Sequence, residues 1–433
     1  MKAGFARIDV TPPKGTCIAS RYFYFVPSEG FLDEIEVNAL ALADEKGTVV
    51  LLAADFGGMT QKYMNDFRAR VSERTGLPLE HISITTLHQH SSFVVSDPEE
   101  SDTPVCEPYI LEWLRHKFCD VAEMAIADLK DATLHVASAQ TAEQISFIRR
   151  NSKVEDPSAP DGHRYVSYGP EPDNNVYLAR FMREGAEDIV LLNFGTHPDV
   201  VGSKCFSNEW PGAARRYVEQ DVPGVHCVLI NGFQGDVNHI DYYNTDSAGR
   251  KAMHGYDYAC HMGRVIADTA VSLLDAAKPC ACDTVTSKTE LLYTKTRTDG
   301  EEHREDAARL VEEYNRSHTV IKCGLNLAEA QRILEIRSAP IYQKIPITLI
   351  TVGDLVIVGI GAEPFTEYGT DARAILKDKF VMTACLTNGY ECYMPTEKAF
   401  EKHDYAVTRS RFTPALQQET RQMIAKLAGS ELN

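Results

Sequence analysis

The length, composition and charge of the chain exclude several classes of protein. With 433 residues, of which 44% are hydrophobic and 24% charged, the chain can bury a substantial core, and this excludes wholesale disorder. The 62 acidic residues outnumber the 44 basic ones, so the net charge is -18, and no basic run suited to nucleic acid is present in the sequence.

The amino terminus and the cysteines indicate a reducing compartment. The first residues, MKAGFARIDVTPPKG, enter a strand-like pattern at once, without an apolar stretch long enough for a signal peptide or a membrane span. The 11 cysteines are odd in number and lack paired CxxC spacing, which favours reduced thiols over disulfides. We therefore expect a cytoplasmic protein whose partner is a small-molecule substrate, with no nucleic acid and no membrane; the sequence leaves the oligomeric state open.

The first part of the chain predicts a β-α-β unit followed by a long helix. Residues 47–56 are β-branched and aliphatic and predict a buried strand, 61–76 repeat apolar positions at helical spacing, and 81–92 return to strand character. A long amphipathic helix is predicted over 107–130 and a strand over 135–148. Residues 152–175 are rich in Pro, Asp, Ser and Gly, and we expect a long irregular loop there, which either shapes a binding site or is a surface insertion.

The rest of the chain predicts a second β-α-β unit and a hairpin. The unit consists of a strand at 188–197, a helix at 210–220 and a strand at 225–236. Further on, the sequence predicts a strand at 286–297, helices around 307–317 and 327–338, a hairpin at 347–361 with Gly-Asp at its turn, a strand at 380–388 and a polar terminal helix. This succession predicts an α/β fold in which mixed β-sheets are flanked by helices.

Two histidine motifs follow predicted strands. His88 and His90 form an HxH pattern, and alternate positions of an extended chain face the same side, so both imidazoles can aim at one point. On its own, the pattern fits hydrogen-bonded loop histidines as well as a metal site. His197 ends another apolar strand, which Pro198 prevents from continuing normally.

Two further candidates lie in the last quarter of the chain. Glu363 ends the second hairpin strand among glycines, which permit close approach of a backbone or a ligand, although an acid there can also cap a turn. Tyr390 and Tyr393 stand in NGYECYMPT, where packed aromatics are the commoner interpretation. Asp55 and Asp236 also end strands, and we predict that they hold backbone groups.

Together these motifs resemble the neutral, non-lysosomal ceramidase family over nearly the whole chain. The shared pieces, in the family's order, are GFARIDVTPPKG at the start, His88-Gln89-His90, His197-Pro198, SNEWPG at 207–212, NGFQGDVN at 231–238 and the Glu363 and Tyr393 segments. The resemblance implies a single catalytic domain over residues 1–433, similar to the family's N-terminal domain. It also implies that His88, His197, Glu363 and Tyr393 bind one zinc ion, with His90 as proton shuttle and Arg149 as oxyanion stabiliser. Zinc accepts imidazole and carboxylate ligands, and a catalytic zinc lowers the pKa of its water to about 7.

The chain departs from the family at several positions. Asn238 stands where the family has a serine, Glu209 where its helix-start motif has an aspartate, and Ile148 where it usually has an asparagine. From the resemblance we expect a protein without the family's carboxyl-terminal β-sandwich and secretion signal. We therefore expect a zinc-dependent hydrolase that cleaves an amide bond of a small polar substrate other than ceramide.

Three alternatives differ from this expectation. The same scaffold can hydrolyse a glycosidic or ester bond, because an activated water serves several hydrolytic reactions. A non-catalytic metal-binding or sensor protein would have a closed site with four ligands. An amidohydrolase barrel also has HxH after an early strand, but it needs an eightfold β/α succession, which the hairpin at 347–361 interrupts.

Overall fold

A large mixed sheet forms the centre of the fold. The computed structural model describes residues 1–18, 26–97, 104–105, 107–317, 320–402 and 404–430. Of the nine strands in the sheet, eight form a row and the ninth, Lys278–Cys280, pairs with Lys130–Gln140. In order across the sheet, the row is Val225–Asn231, Asp188–Phe194, Asn175–Arg183, Lys130–Gln140, Lys2–Asp9, Glu36–Ala43, Thr48–Ala54 and Ile82–Thr86.

The two ends of this row are parallel strand pairs. Thr48–Ala54 pairs in parallel with Ile82–Thr86, and the connection contains the helix Gln61–Thr75. Asp188–Phe194 pairs in parallel with Val225–Asn231, and the connection contains the helix Glu209–Asp221. Both predicted β-α-β units are therefore confirmed.

The two halves of the row pack face to face. They are joined through a short pairing of Lys2 and Ala3 with Asp131 and Lys130. One buried cluster then contains apolar side chains of both halves, among them Leu40, Leu42, Leu51, Leu191, Leu192 and Leu229. Burial of this shared apolar surface holds the halves together and brings the carboxyl ends of the two parallel pairs close to each other.

A second sheet contains the predicted hairpin. Its strands, in order, are Val285–Lys295, Tyr342–Val352, Leu355–Ile360 and Phe380–Ala384. The hairpin turns at Gly353-Asp354, where Gly353 has a φ of 57°, a conformation that glycine adopts at low cost. Just beyond this sheet, Glu363–Pro364 and Tyr393–Met394 form a short parallel pair with Glu363 opposite Tyr393.

The other elements surround these sheets. The α-helices of the described residues are Gln61–Thr75, Pro108–Ala127, Glu209–Asp221, Ser247–Ala252, Tyr256–Leu274, Arg304–Ser317, Leu327–Glu335, Thr366–Ile375, Tyr405–Arg409 and Leu416–Ala428. The remaining short strands are Cys17–Ile18, Val26–Pro27, Gly30–Phe31, Gly58–Met59, Val94–Val95, Pro104–Val105, Phe147–Ile148, Asn151–Glu155, His163–Ser167, Cys205–Phe206 and Val237–Asn238. Within the described ranges, no helix has both the length and the apolar character needed to cross a bilayer.

The segment 152–175 differs from its prediction. Asn151–Glu155 and His163–Ser167 pair as an antiparallel hairpin, where we expected an irregular loop. Most of these strand residues are exposed or half-buried, so they lack the alternation of apolar and polar residues that marks a strand with one buried face. The order of strands and helices is also not an eightfold β/α succession, which excludes the barrel alternative for this fold.

Candidate metal centre

The two histidine segments follow the parallel strand pairs at the centre of the fold. His88 lies two residues beyond the strand Ile82–Thr86, and His197 lies three residues beyond Asp188–Phe194. The backbone at His88 has a φ of 69°, so the extended geometry that we expected between His88 and His90 is wrong. The two rings nevertheless lie close together, with centroids 4.9 Å apart. A non-glycine residue in this left-handed conformation is the kind of local strain that concentrates at functional sites.

Backbone carbonyls determine which ring nitrogen carries the hydrogen in both imidazoles. The Nδ1 atom of His88 lies 2.8 Å from the carbonyl oxygen of Gly57. The Nδ1 atom of His197 lies 2.8 Å from the carbonyl oxygen of Gln234 and 3.1 Å from that of Val237. Since a carbonyl only accepts hydrogen bonds, each Nδ1 donates, and each neutral ring presents the lone pair of its Nε2. Histidines that bind metals through Nε2 have this arrangement.

A buried carboxylate meets both of these lone pairs. Oε2 of Glu363 lies 3.3 Å from Nε2 of His88 and 3.1 Å from Nε2 of His197. The same oxygen is buried and has no hydrogen-bond donor. Atoms that bind one zinc ion tetrahedrally at about 2.0–2.1 Å are roughly 3.3 Å from each other. The spacing and the chemistry of these three donors therefore fit a zinc ion.

His90 adds a third imidazole to this group. Ligand nitrogens of His88, His90 and His197 lie within 4.8 Å of one another, so these three could also hold a metal ion. Glu363, at 3.3 and 3.1 Å from the Nε2 atoms of His88 and His197, is a second candidate for the third donor. Nε2 of His90 is buried without a hydrogen-bond partner. Burial, with smaller effects from neighbouring charges, lowers the pKa of His90 to about 3, so this ring is neutral near pH 7.

Arg149 and Tyr393 complete the group of residues predicted from the sequence. One guanidinium nitrogen of Arg149, Nη2, donates to the carbonyl oxygen of Gly235 at 2.8 Å and lies 3.4 Å from Nε2 of His197. The same guanidinium lies 5.1 Å from the centroid of the Tyr393 ring. The Tyr393 ring is buried, and its centroid is 6.2 Å from that of His197. The structure thus brings all six predicted residues into one cluster, although their individual roles stay predictions.

The charges of the cluster compensate one another. Burial raises the pKa of Glu363, but the two histidines reverse this effect and hold the pKa well below its usual value. Burial lowers the pKa of His88, but the carboxylate of Glu363 outweighs it and the net pKa is raised. The pKa of His197 is lowered by burial and by the charge of Arg149. Without a cation, the carboxylate of Glu363 therefore favours the uptake of a proton by His88.

Sequence reasoning missed two residues beside this cluster, Asp199 and His239. His239 is buried, and its Nδ1 lies 3.1 Å from Oδ1 of Asp199 while its Nε2 lies 3.3 Å from Nδ1 of His254. The charge of Asp199 acts on both His90 and His197. Both residues could have been found from their neighbours in the sequence. Asp199 directly follows His197-Pro198, and His239 directly follows Asn238, which stands where the family has a serine.

Comparison with solved structures identifies the fold. The chain superposes with a TM-score of 0.75 on a neutral ceramidase from Pseudomonas aeruginosa, at 15% sequence identity, over 100% of this chain and 75% of that one. A second structure, of a ceramidase complexed with C2, gives a TM-score of 0.74 at 14% identity, over 100% of this chain and 76% of that one. The sequence matches no protein-family model and no curated protein. The structural similarity confirms the predicted neutral ceramidase-like α/β fold.

Proposed function

We propose that the protein is a zinc-dependent hydrolase that cleaves an amide bond of a small polar substrate. The observation that carries this proposal is the convergence of His88, His197 and Glu363, three buried electron-pair donors at the spacing of zinc ligands. Tyr393 would be the fourth donor, since it lies opposite Glu363 in the short parallel pair. The fold similarity to two ceramidases supports a hydrolase.

The residues around the donors supply the remaining parts of a hydrolytic site. A bound zinc ion supplies Lewis acidity, which lowers the pKa of a coordinated water to about 7. Neutral His90, whose buried Nε2 has no hydrogen-bond partner, accepts the proton from the attacking water and returns it to the leaving nitrogen. The guanidinium of Arg149, held by the carbonyl of Gly235, faces the cluster and stabilises the negative charge that develops on the carbonyl oxygen of the substrate.

The surroundings of the cluster favour a small polar substrate. Asp199 and His239 form a hydrogen-bonded pair beside His90 and His197. Asn238 is buried next to this pair, and its side-chain oxygen accepts a hydrogen bond from the backbone N–H of Ile240 at 3.2 Å. Because transfer of a polar group to apolar surroundings is costly, a lining made of such polar groups favours a polar substrate over an apolar chain.

Metal analysis together with a substrate panel tests the proposal. The purified protein is analysed for bound metal, and its hydrolysis of N-acyl amides, glycosides and esters is measured before chelation, after chelation and after zinc is restored. We expect one zinc ion per chain and amide hydrolysis that disappears on chelation and returns with zinc. The variant His197→Ala is the control, since it should remain folded by circular dichroism while binding no zinc.

Each alternative gives a different result in this experiment. Activity on glycosides or esters alone would contradict the choice of bond but leave a metal-dependent hydrolase. Activity that survives complete chelation would overturn the proposed role of the metal. Tight zinc binding without hydrolysis of any substrate would favour the sensor alternative.

A further inference from the structure

The histidine segments 88–92 and 197–201 belong to different halves of the large sheet, so their relative position is not fixed by a common strand. They touch where the backbone N–H of His90 donates to the carbonyl oxygen of Pro198 at 2.9 Å. A zinc site tolerates little variation in the distance between its ligands. Some additional structure must therefore set the separation of His88 and His197.

Glu209 connects the two segments on the carboxyl-terminal side of the histidines. Its Oε1 accepts a hydrogen bond from the backbone N–H of Ser91 at 3.1 Å, and its Oε2 accepts one from Val200 at 2.8 Å. The residue is 1% exposed and has a φ of 49°, an uncommon conformation for a residue with a side chain. Strained conformations persist where the surrounding contacts determine them. In Glu209, the strained backbone conformation places the carboxyl group between the backbone amides of Ser91 and Val200.

Asn231 connects the same segments on the amino-terminal side. Its Nδ2 donates to the carbonyl oxygen of Leu87 at 3.0 Å and to that of Thr196 at 3.2 Å. Leu87 and Thr196 directly precede His88 and His197 in the sequence. Asn231 is completely buried, so these hydrogen bonds do not compete with water.

We propose that Glu209 and Asn231 are positioning residues that set the separation of the two histidines and thereby the metal affinity of the centre. We call the pair the histidine clamp. Its chemistry is complementary, since the carboxylate of Glu209 accepts from two N–H groups and the amide of Asn231 donates to two carbonyls. Burial raises the pKa of Glu209 to about 8 although its hydrogen bonds to Val200 and Ser91 lower it. Both oxygens carry lone pairs whether or not the carboxyl group is ionised, so both can accept from the two backbone amides. The metal part of the inference rests on the proposed function.

The variant Glu209→Gln tests the clamp with two measurements. Glutamine has one oxygen and one NH2 group, so it can accept from one backbone amide but faces the other with a donor. In the metal-free protein, we expect faster hydrogen exchange in at least one of the segments 88–92 and 197–201. In a competition titration with a chromophoric chelator, we expect zinc affinity to fall by roughly 10- to 100-fold, as for other residues that orient metal ligands.

Two control variants separate positioning from general stability. Glu73→Gln makes the same chemical change at an exposed glutamate on the helix Gln61–Thr75. Val71→Ala removes buried apolar contacts from that helix and lowers stability without contacting the histidine segments. Neither variant should alter zinc affinity or the exchange of the two segments. If Glu209→Gln does not fold, Asn231→Leu takes its place, since leucine has nearly the same size and cannot donate.

The outcomes distinguish the clamp from the proposed function. Unchanged exchange in both segments would overturn the clamp, and so would faster exchange with unchanged zinc affinity. If Val71→Ala loses as much zinc affinity as Glu209→Gln, the loss in Glu209→Gln results from lower overall stability, and the clamp is overturned. If the wild-type protein binds no zinc, the proposed function fails, and the exchange of the metal-free variants then decides whether the clamp holds the segments.

Discussion

Replacement of Glu363 by glutamine should stabilise the metal-free protein while weakening metal binding. In the metal-free protein, Oε2 of Glu363 faces the Nε2 atoms of His88 and His197 at 3.3 and 3.1 Å without a hydrogen-bond donor. The NH2 group of a glutamine can donate to one of these nitrogens. An unsatisfied buried acceptor costs about 1–3 kcal/mol, so Glu363→Gln should gain stability of that order when no cation or proton is present.

The stability that Glu363→Gln gains over the wild type should depend on pH, because His88 of the wild type can take up a proton. The pKa of His88 is raised in the folded protein, chiefly because the charge of Glu363 outweighs burial. A histidine with a raised pKa contributes stability below its unfolded value of about 6.5 and loses that contribution as the pH rises through the folded value. The metal-free wild type should therefore lose stability above pH 6.5, whereas Glu363→Gln should lack this loss.

Zinc should offset most or all of the stability that Glu363→Gln gains in the metal-free protein. Loss of the charged ligand should weaken zinc binding by at least about 100-fold, since residues that only orient metal ligands already contribute 10- to 100-fold. With free zinc at about 100 times the wild-type Kd, binding stabilises the wild type by about 2.7 kcal/mol but the variant by only about 0.4 kcal/mol. The two proteins should therefore differ by about 2.3 kcal/mol in their response to zinc.

Urea unfolding at pH 6 and pH 9, with chelator or with zinc, measures these effects. Glu73→Gln, at an exposed position, is the control for loss of a carboxylate and should follow the wild type under all four conditions. A Glu363→Gln variant that is less stable than the wild type at pH 9 with chelator would refute the reasoning, because it would mean that the carboxylate stabilises the fold without a cation.

Three other substitutions test separate parts of the centre. Arg149→Lys keeps the charge but loses the planar fork, so kcat should fall by about 100-fold with bound zinc unchanged; an unaltered kcat would remove Arg149 from the reaction. Tyr393→Phe should weaken zinc binding by roughly 10-fold in a folded protein, and unchanged affinity in the competition titration would exclude its hydroxyl as a ligand. Gly235→Ala would place a Cβ 2.4 Å from the carbonyl oxygen of Glu363 and should cost about 1–3 kcal/mol of stability, as well as zinc affinity. Thermal unfolding checks this last expectation, which a variant as stable as the wild type would contradict.

Elements with strong local signals could be predicted from the sequence. The helix Gln61–Thr75 has apolar positions at helical spacing and ends at Gly76 in the left-handed conformation, and the hairpin turns at Gly353-Asp354. The hairpin at 151–167 carries no such signal because its strands bury little apolar surface. The helix Tyr256–Leu274 was also not predicted, although it packs on Glu209–Asp221. Its buried residues, such as Met262, Ile266 and Ala270, recur at helical spacing, so this helix could have been predicted, whereas the hairpin could not.

The candidate site could be predicted only as a set of residues. Motif resemblance selected His88, His197, Glu363 and Tyr393, and the structure places them together. The groups that orient them are largely backbone atoms, such as the carbonyls of Gly57 and Gln234, whose role depends on tertiary contacts and leaves no residue-specific signal. The left-handed backbone at His88 is likewise imposed by the fold.

Because the centre is assembled from three parts of the fold, a bound cation would affect how firmly these parts are held together. His88 belongs to one half of the large sheet, His197 to the other half, and Glu363 follows the hairpin of the second sheet. The apolar core brings these parts together, and the histidine clamp sets the separation of the two histidines. The three donors then face one another, which is unfavourable without positive charge. The favourable free energy of burial in the core therefore offsets the unfavourable arrangement of the donors and keeps the site preorganised. A bound cation would link all three parts directly. It follows that the metal-free protein should first loosen at the junction of these segments, while the strands behind them remain packed.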